Sequence, residues 1–401
     1  MLRISQYLRE VALAERTGRY PVPPARRGGP APGPVVIWNL TRRCNLTCKH
    51  CYAFSADHAY PGELTEAEML AVLDDLKAYR VPALILSGGE PLLSPHLWTV
   101  ARRAAALGFH TGLSTNGTLI DAALADRIAT SGFDYVGISL DGLRATHDRF
   151  RRLEGAFNAS LAALRLLRER AVHVGIRYTF TAMNQDDFPA LLRLRREQDV
   201  PKFYFSHLNY AGRGNVHRAR DAHFAATRAA MDLLFETAWQ AAWDDEKSVE
   251  FVSGNNDADG VYLYRWVQAR WPRWADALRQ RLVAWGGNAS GVAVANIDNR
   301  GHVHPDTMWW HHDLGSVRTR PFSQIWEDRS DPLMAGLKRR PRPLQGRCGL
   351  CPQRDICGGN TRVRAQQLSG NPWAEDPGCY LDDSELGLGA AGKTEVIDAP
   401  A

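Results

Sequence analysis

Three cysteines fall within eight residues, Cys44-x3-Cys48-x2-Cys51. Thiolates this close can ligate three irons of a cubane 4Fe-4S cluster, and no further cysteine is near in sequence to hold the fourth. An open iron suits a small molecule that chelates through amino and carboxylate groups. The alternative is one zinc ion completed by His50 or His58, although zinc knuckles usually use a C-x2-C spacing.

A second set, Cys348-x2-Cys351-x5-Cys357-x21-Cys379, supplies four thiolates, a full complement for a closed 4Fe-4S cluster. A structural zinc held by the same four is again the alternative. The chain has 7 cysteines, and none lies between the two sets. That segregation suits two metal sites, and the odd count argues against a disulfide framework.

Between the sets, Ser87-Gly88-Gly89-Glu90-Pro91 closes an apolar run. Its glycines permit close backbone approach, and Glu90 can receive an ammonium group.

The elements that must position these residues read as a βα alternation. Strands are predicted at 34–40, 83–87, 109–114, 134–140, 172–181 and 201–206, with helices near 65–80, 95–107, 121–131, 155–170 and 186–198. The first helix opens on Thr65 and Glu68, the spacing of a capping box. Strands rich in Val, Ile, Leu and aromatics are those of a parallel sheet covered on both faces. The expected fold is therefore α/β, a partial (βα)6 barrel whose first cysteine loop lies at the carboxyl-terminal mouth. Residues 1–33 read as a leader, a short possible helix followed by an extended, poorly packed Pro/Gly/Arg-rich stretch, and 34–220 as the barrel. A helical region with a Gly/Asn/Asp-rich loop at 253–260 spans 221–290. A hairpin turning at Asn299-Arg300-Gly301 opens a carboxyl-terminal domain at 291–382, and 383–401 reads as a loose tail.

Composition excludes several classes. At 401 residues, 45% hydrophobic and 23% charged, the chain can bury a substantial core. Its net charge of +5 is mildly basic, a property that speaks to association rather than to fold. Arginines cluster at Arg149, Arg151 and Arg152 and at Arg339, Arg340 and Arg342, without the aromatic interleaving of a nucleic-acid module. No apolar run is long enough for a membrane span, and the first residues lack the apolar stretch of a secretory signal. A cytoplasmic location, with no nucleic-acid or membrane partner, is expected.

CNLTCKHCY followed by SGGEP, STNGT and SLDG resembles the radical S-adenosylmethionine (SAM) superfamily over roughly residues 34–210. The resemblance implies that Cys44, Cys48 and Cys51 hold a SAM-binding 4Fe-4S cluster and that the Gly88-Gly89-Glu90 backbone binds the SAM amino group. It further implies that Ser139 and Arg177 hold the carboxylate and ribose, and that His50 and Tyr52 flank the adenine. The second set is similar to a SPASM iron-sulfur domain. That domain's complete form carries two auxiliary clusters, but here Asp306 and Thr361 stand where two of its cysteines would be. One auxiliary cluster, on Cys348, Cys351, Cys357 and Cys379, is therefore expected.

Longer segments, among them SHLNYAGRGN, FVSGNNDADGVY and NIDNRGHVHPDTMWWHH, resemble the radical SAM family of haem d1 biosynthesis. That implies a tetrapyrrole substrate, 12,18-didecarboxysirohaem, whose propionate side chains are removed through a 5'-deoxyadenosyl radical. It also implies a low-potential electron donor such as ferredoxin or flavodoxin. The alternative is a SPASM-type enzyme that modifies a peptide or decarboxylates another porphyrin. A carboxylate-bearing macrocycle wants apolar walls and a few cations. His207 and Arg213, just after the sixth strand, are the leading substrate contacts, and Trp309, Trp310, His304, His311, His312, Arg362 and Arg364 are further candidates.

Overall fold

The computed structural model describes residues 1–21 and 31–388. Helix α1 (Ile4–Thr17) precedes the alternating part of the chain. There follow β1 (Val35–Asn39), α2 (Glu66–Ala78), β2 (Ala83–Ser87), α3 (Leu97–Ala106), β3 (His110–Thr115), α4 (Ala122–Ala129) and β4 (Tyr135–Ser139). Next come α5 (Arg144–Arg151), α6 (Ala156–Glu169), β5 (Val174–Phe180), α7 (Phe188–Glu197) and β6 (Lys202–His207). The alternation arises as expected. Val36, Trp38, Leu84, Leu86, Val136, Ile138 and Ile176 are buried along the strands. Thr65 and Glu68 exchange hydrogen bonds at the start of α2, closing the capping box.

Past β6 the chain makes a single turn, α8 (Arg213–Val216), and a long helix, α9 (Phe224–Trp243). It then runs through β7 (Glu250–Gly254), α10 (Ala258–Arg270), α11 (Pro272–Trp285), β8 (Val294–Ile297) and β9 (Val303–His304). The nine strands of the described residues form one sheet in the order β7-β6-β5-β4-β3-β2-β1-β8-β9. Every pair is parallel except β8–β9, which is antiparallel. The registers Asn39↔Ser87 and Phe180↔His207 line up strand ends, and Ser139 at the end of β4 pairs with Arg177 in mid-β5.

The sheet is wider than the expected six strands, for two reasons. Residues 250–254 lie partly in the segment read as a Gly/Asn/Asp-rich loop, yet Phe251 and Val252 are buried and pair with β6. The hairpin forms about the expected turn, but β8 joins the barrel sheet beside β1, with Val36 opposite Ala295. It is thus shared between the two halves of the chain rather than belonging to a separate domain.

The short helix expected in the leader forms as α1, but it is packed rather than loose. Ile4, Leu8 and Val11 of α1 are buried, and α1 packs on α9 and β7. Its Pro/Gly/Arg-rich portion, 22–30, lies outside the described residues. Of the tail, residues 383–388 include a capped turn at Asp383–Leu386, and 389–401 lie outside the described residues. Among the described residues no helix is long and apolar enough to cross a membrane.

Candidate functional site

β1 ends at Asn39, and the chain passes into the first cysteine loop. The segment after β2 zips onto that loop: the Gly89 N–H donates to the Thr41 carbonyl at 2.7 Å and the Glu90 N–H to that of Arg43 at 2.8 Å. A side-chain carbon on Gly89 would lie 2.3 Å from the Arg43 carbonyl oxygen, and one on Gly88 would lie 2.8 Å from that of Thr41. Only residues without Cβ allow this approach. Asn39 ties the floor together, donating to the Tyr52 hydroxyl at 2.8 Å and the Gly88 carbonyl at 3.2 Å. Asn296 of β8 donates to the Asn39 Oδ1 at 2.7 Å.

Cys44 and Cys48 are buried around Leu46, with Cys51 packed beside them. The Cys44 sulfur accepts the Leu46 N–H at 3.4 Å and the Asn116 Nδ2 at 4.0 Å, and the Cys48 sulfur accepts Arg151 Nη1 at 3.6 Å. Burial, and then the Glu90 carboxylate, push the Cys44 thiol up to about 12, and burial raises Cys48 as well. Thiolates packed this way need positive charge among them, which iron supplies. Among the described residues no group of three His, Cys, Asp or Glu converges as the ligands of one bound ion would. A cubane asks for a looser gathering, because each thiolate holds a different iron. The donor set fits such a cluster.

Of the residues expected to hold SAM, Ser139 ends β4 and pairs with Arg177, which lies in the middle of β5 rather than at its end. The Arg177 guanidinium lies 5.0 Å from the Tyr204 ring centre. Glu90 differs from expectation. Its side chain is wholly buried and accepts from Thr115 Oγ1 at 2.7 Å, the Asn116 N–H at 2.8 Å and the Leu92 N–H at 3.2 Å. Burial raises it to about 7 against these donors. The carboxylate is a clasp between the ends of β2 and β3 rather than an open acceptor for an ammonium.

His207 and Arg213 are likewise engaged within the protein. His207 is buried, with Nε2 3.0 Å from Asp259 Oδ2. Arg213 donates from Nε to the Cys48 carbonyl at 2.7 Å and from Nη2 to that of Ser55 at 2.9 Å. Its own N–H donates to the Cys51 carbonyl at 2.8 Å. The Gly212 that precedes it passes so close that a Cβ would lie 2.3 Å from the Tyr52 carbonyl oxygen. The loop after β6 thus clamps the cysteine loop from outside, and neither side chain stands free for a substrate carboxylate.

The second set is carried by two short helices, α14 (Gly346–Leu350) and α15 (Arg354–Cys357), and by the segment after α16 (Arg362–Ser369), preceded by α12 (Phe322–Glu327) and α13 (Pro332–Lys338). Cys348, Cys351, Cys357 and Cys379 together line one cavity, with Arg347, Gly359 and Leu381 among its other walls. Burial pushes Cys348 up to about 11 and raises the other three. The Cys351 sulfur accepts the Gln353 N–H at 3.4 Å, and the Cys348 sulfur accepts the Asp376 N–H at 3.4 Å. Four thiols around one cavity, Cys351 buried and the others half-buried, fit a fully ligated cluster. Thr361 donates to the Asn255 carbonyl at 3.1 Å, and Asp306 accepts the Met308 N–H at 2.7 Å. Both residues anchor backbone here.

Arg362 and Arg364 are wholly buried. Arg362 donates to the Ala374 carbonyl at 2.6 Å, and Arg364 pairs with Asp376 at 2.8 Å and reaches the Asn255 carbonyl at 2.8 Å. They brace the carboxyl-terminal half rather than meet a ligand. The loop after β7 is its dock, since Asn360 Oδ1 accepts the Asp257 N–H at 2.6 Å and Asn256 Nδ2 donates to the Gly378 carbonyl at 2.8 Å.

Beside the first cysteine loop, the Trp310 ring meets Tyr52 edge-on at 5.9 Å and stacks with His304 at 6.2 Å. The Arg42 guanidinium lies 4.8 Å from the Tyr60 ring and 5.9 Å from Trp310. Trp309 is buried, while His311 is exposed and lies near Gln367 of α16. The sequence reading missed Asp141 and Arg151, which pair in the protein interior behind Cys48. Both lay in view, in SLDG and in the run Arg149 to Arg152. Nothing in the sequence said which arginine turns inward.

The Radical SAM superfamily model matches residues 38–195. Over 388 residues the chain is 53% identical to the pre-heme d1 synthase of Dinoroseobacter shibae, covering 96% of this chain and 94% of that protein. It is 42% identical to the Fe-coproporphyrin III synthase of Methanosarcina barkeri, covering 88% of this chain and 89% of the other. Among solved structures, Streptococcus suis SuiB bound to S-adenosylmethionine shares the fold, with a TM-score of 0.66 at 15% identity over 93% of this chain and 80% of that one. A motif loop laid against a glycine-lined strand end, and likeness along nearly the whole length, lead to one assignment: the chain belongs to the radical SAM superfamily, in the same family as the pre-heme d1 synthase.

Proposed function

We propose that this enzyme removes propionate side chains from 12,18-didecarboxysirohaem on the way to haem d1. The observation that carries the reading is the 53% identity, over 96% of the chain, to a protein named as pre-heme d1 synthase. The aromatic wall of Tyr52, Tyr60 and Trp310 beside the first cysteine loop supports it, because a planar macrocycle packs well on such rings.

Cys44, Cys48 and Cys51 hold the SAM-binding cluster, and Cys348, Cys351, Cys357 and Cys379 hold an auxiliary one. When bound, the first cluster would supply one electron, drawn from a donor such as ferredoxin or flavodoxin, for reductive cleavage of SAM, and the 5'-deoxyadenosyl radical so released would be the acceptor for hydrogen from a propionate carbon. The chain's own work is orientation and exclusion of water. The Gly88–Glu90 backbone receives the SAM amino group, Ser139 and Arg177 hold its carboxylate and ribose, and Tyr52 borders the adenine. With Arg213 spent on the cysteine loop, Arg42 is the cation left beside the wall to meet a propionate. Its Nε already donates to the Ala53 carbonyl at 2.8 Å, which fixes the guanidinium in place.

The test is anaerobic turnover of reconstituted protein with SAM, reductant and 12,18-didecarboxysirohaem, followed by mass spectrometry. Loss of propionate-derived fragments together with formation of 5'-deoxyadenosine is expected. Turnover of Fe-coproporphyrin III, with 12,18-didecarboxysirohaem left intact, would overturn the substrate assignment.

A further inference from the structure

Behind the first cysteine loop lies a buried ion pair that no step above uses. Arg151 ends α5, and its guanidinium does two things at once. Nη2 meets Asp141 Oδ2, and Nη1 donates to the Cys48 sulfur at 3.6 Å. The Asp141 side chain is fully buried and that of Arg151 is 9% exposed. Asp141 is itself fixed on its other side, because Oδ1 accepts the Thr179 N–H at 2.7 Å. Its N–H donates to His147 Nδ1 at 3.0 Å. The neighbouring residues hold α5 against the loop as well. Phe150 stacks on His50 at 4.6 Å, and the Lys49 N–H donates to the Phe150 carbonyl at 3.1 Å.

A cation and an N–H donor aimed at a ligating sulfur stabilise the more negative, reduced form of a cluster. A carboxylate behind that cation offsets part of the effect, and burial strengthens both. We propose that Arg151 is a positioning residue that sets the reduction potential of the cluster held at Cys48, with Asp141 as its counterweight. This rests on the reading that Cys44, Cys48 and Cys51 hold the SAM-binding cluster. The pair acts through the sulfur and touches neither SAM nor substrate.

The two partners should move the potential in opposite directions, which a mere brace would not do. The experiment is a redox titration of the reconstituted full-length protein, followed by electron paramagnetic resonance on the signal that changes when SAM is added. Iron content is measured alongside, and the auxiliary signal serves as the internal reference. Arg151→Gln should shift the reduction equilibrium about tenfold toward the oxidised cluster, which is ~59 mV for one electron. Arg151→Lys, which keeps the charge, should shift it less. Asp141→Asn leaves the guanidinium uncompensated and should shift it toward the reduced form.

If Arg151→Gln loses iron, Asp141→Asn decides alone, since it keeps the donor to sulfur. An unchanged potential in both variants, a shift of the same sign in both, or loss of iron from both would overturn the proposal and leave the pair a packing device. Wild-type protein with no SAM-responsive signal would instead overturn the cluster assignment on which it rests.

Discussion

The Arg213 Nε donates to the backbone carbonyl of Cys48 at 2.7 Å, so a side chain from beyond β6 grips the first cysteine loop between two of its thiols. Charge-assisted bonds of this kind are worth roughly 1.5–3 kcal/mol each. Arg213→Ala should therefore loosen the loop, with loss of iron from the first site and a large fall in 5'-deoxyadenosine formation. Tetrapyrrole affinity, measured by absorbance titration, should change little. Retained SAM cleavage with binding weakened tenfold or more would return Arg213 to the role of carboxylate anchor.

Arg42 carries the opposite expectation. Replacing it with Ala should weaken tetrapyrrole binding about tenfold to a hundredfold, the range for one charge-assisted pair, while substrate-free SAM cleavage survives. Arg42→Lys should recover only part of the loss, because an ammonium lacks the planar fork. Normal binding by Arg42→Ala would show that the propionates are held elsewhere.

Gly89→Ala places a methyl group 2.3 Å from a carbonyl oxygen on the approach to Cys44. The ladder between the two segments must open, and SAM affinity, followed by calorimetry on the reconstituted protein, should fall at least tenfold. Gly88→Ala, with its contact at 2.8 Å, should do less harm. Equal affinities in the two variants would mean that the ladder does not shape the site.

His147 tests the interior electrostatics without touching a cysteine. Burial, and then the Arg151 charge, lower it from 6.5 to about 4. The unfolded chain therefore takes up a proton on this residue before the folded one does, and stability present above pH 6.5 is lost as the pH falls toward 4. The full effect is on the order of 3 kcal/mol. Thermal unfolding from pH 7 to 4.5 should show a shallower decline in His147→Gln than in wild type. Parallel curves would place the acid sensitivity on other groups.

The pair Arg364–Asp376 offers a test of the carboxyl-terminal half. Both side chains are essentially unexposed, and removing one partner of such a pair costs about 3–5 kcal/mol. Asp376→Asn should lower the denaturation midpoint and disturb the auxiliary cluster, since the Asp376 N–H also donates to Cys348 at 3.4 Å. Cys379→Ala should disturb that cluster and leave the SAM-responsive signal intact. An auxiliary signal unaltered by Cys379→Ala would mean that another group supplies the fourth ligand.

The βα alternation was legible because most strands are short apolar runs and helices such as α2 and α4 open on capping residues, Thr65 with Glu68 and Asp121. Thiol spacing made both cysteine sets legible. What the sequence could not carry were the partners of the charged side chains. Arg213 and His207 lie where a barrel collects substrate groups, but Cys48 and Asp259 claim them from 165 and 52 residues away. Arg362 and Arg364 were further candidates for substrate contact, yet Asp376 and backbone carbonyls draw them inside. β7 was hidden because its last residues, Ser253 and Gly254, read as the start of a turn. The pairing of β8 with β1 has no local signature at all.

That last pairing bears on how the protein is made. β1 leaves the ribosome well before β8, since Asn296 of β8, which donates to the Ile37 carbonyl at 2.7 Å, lies 259 residues further on. Until that stretch is synthesised, one side of β1 is an unpaired edge of the kind that invites association between chains, and closing so long a loop is slow. The floor of the first site, where Asn296 meets Asn39, is therefore completed late in synthesis.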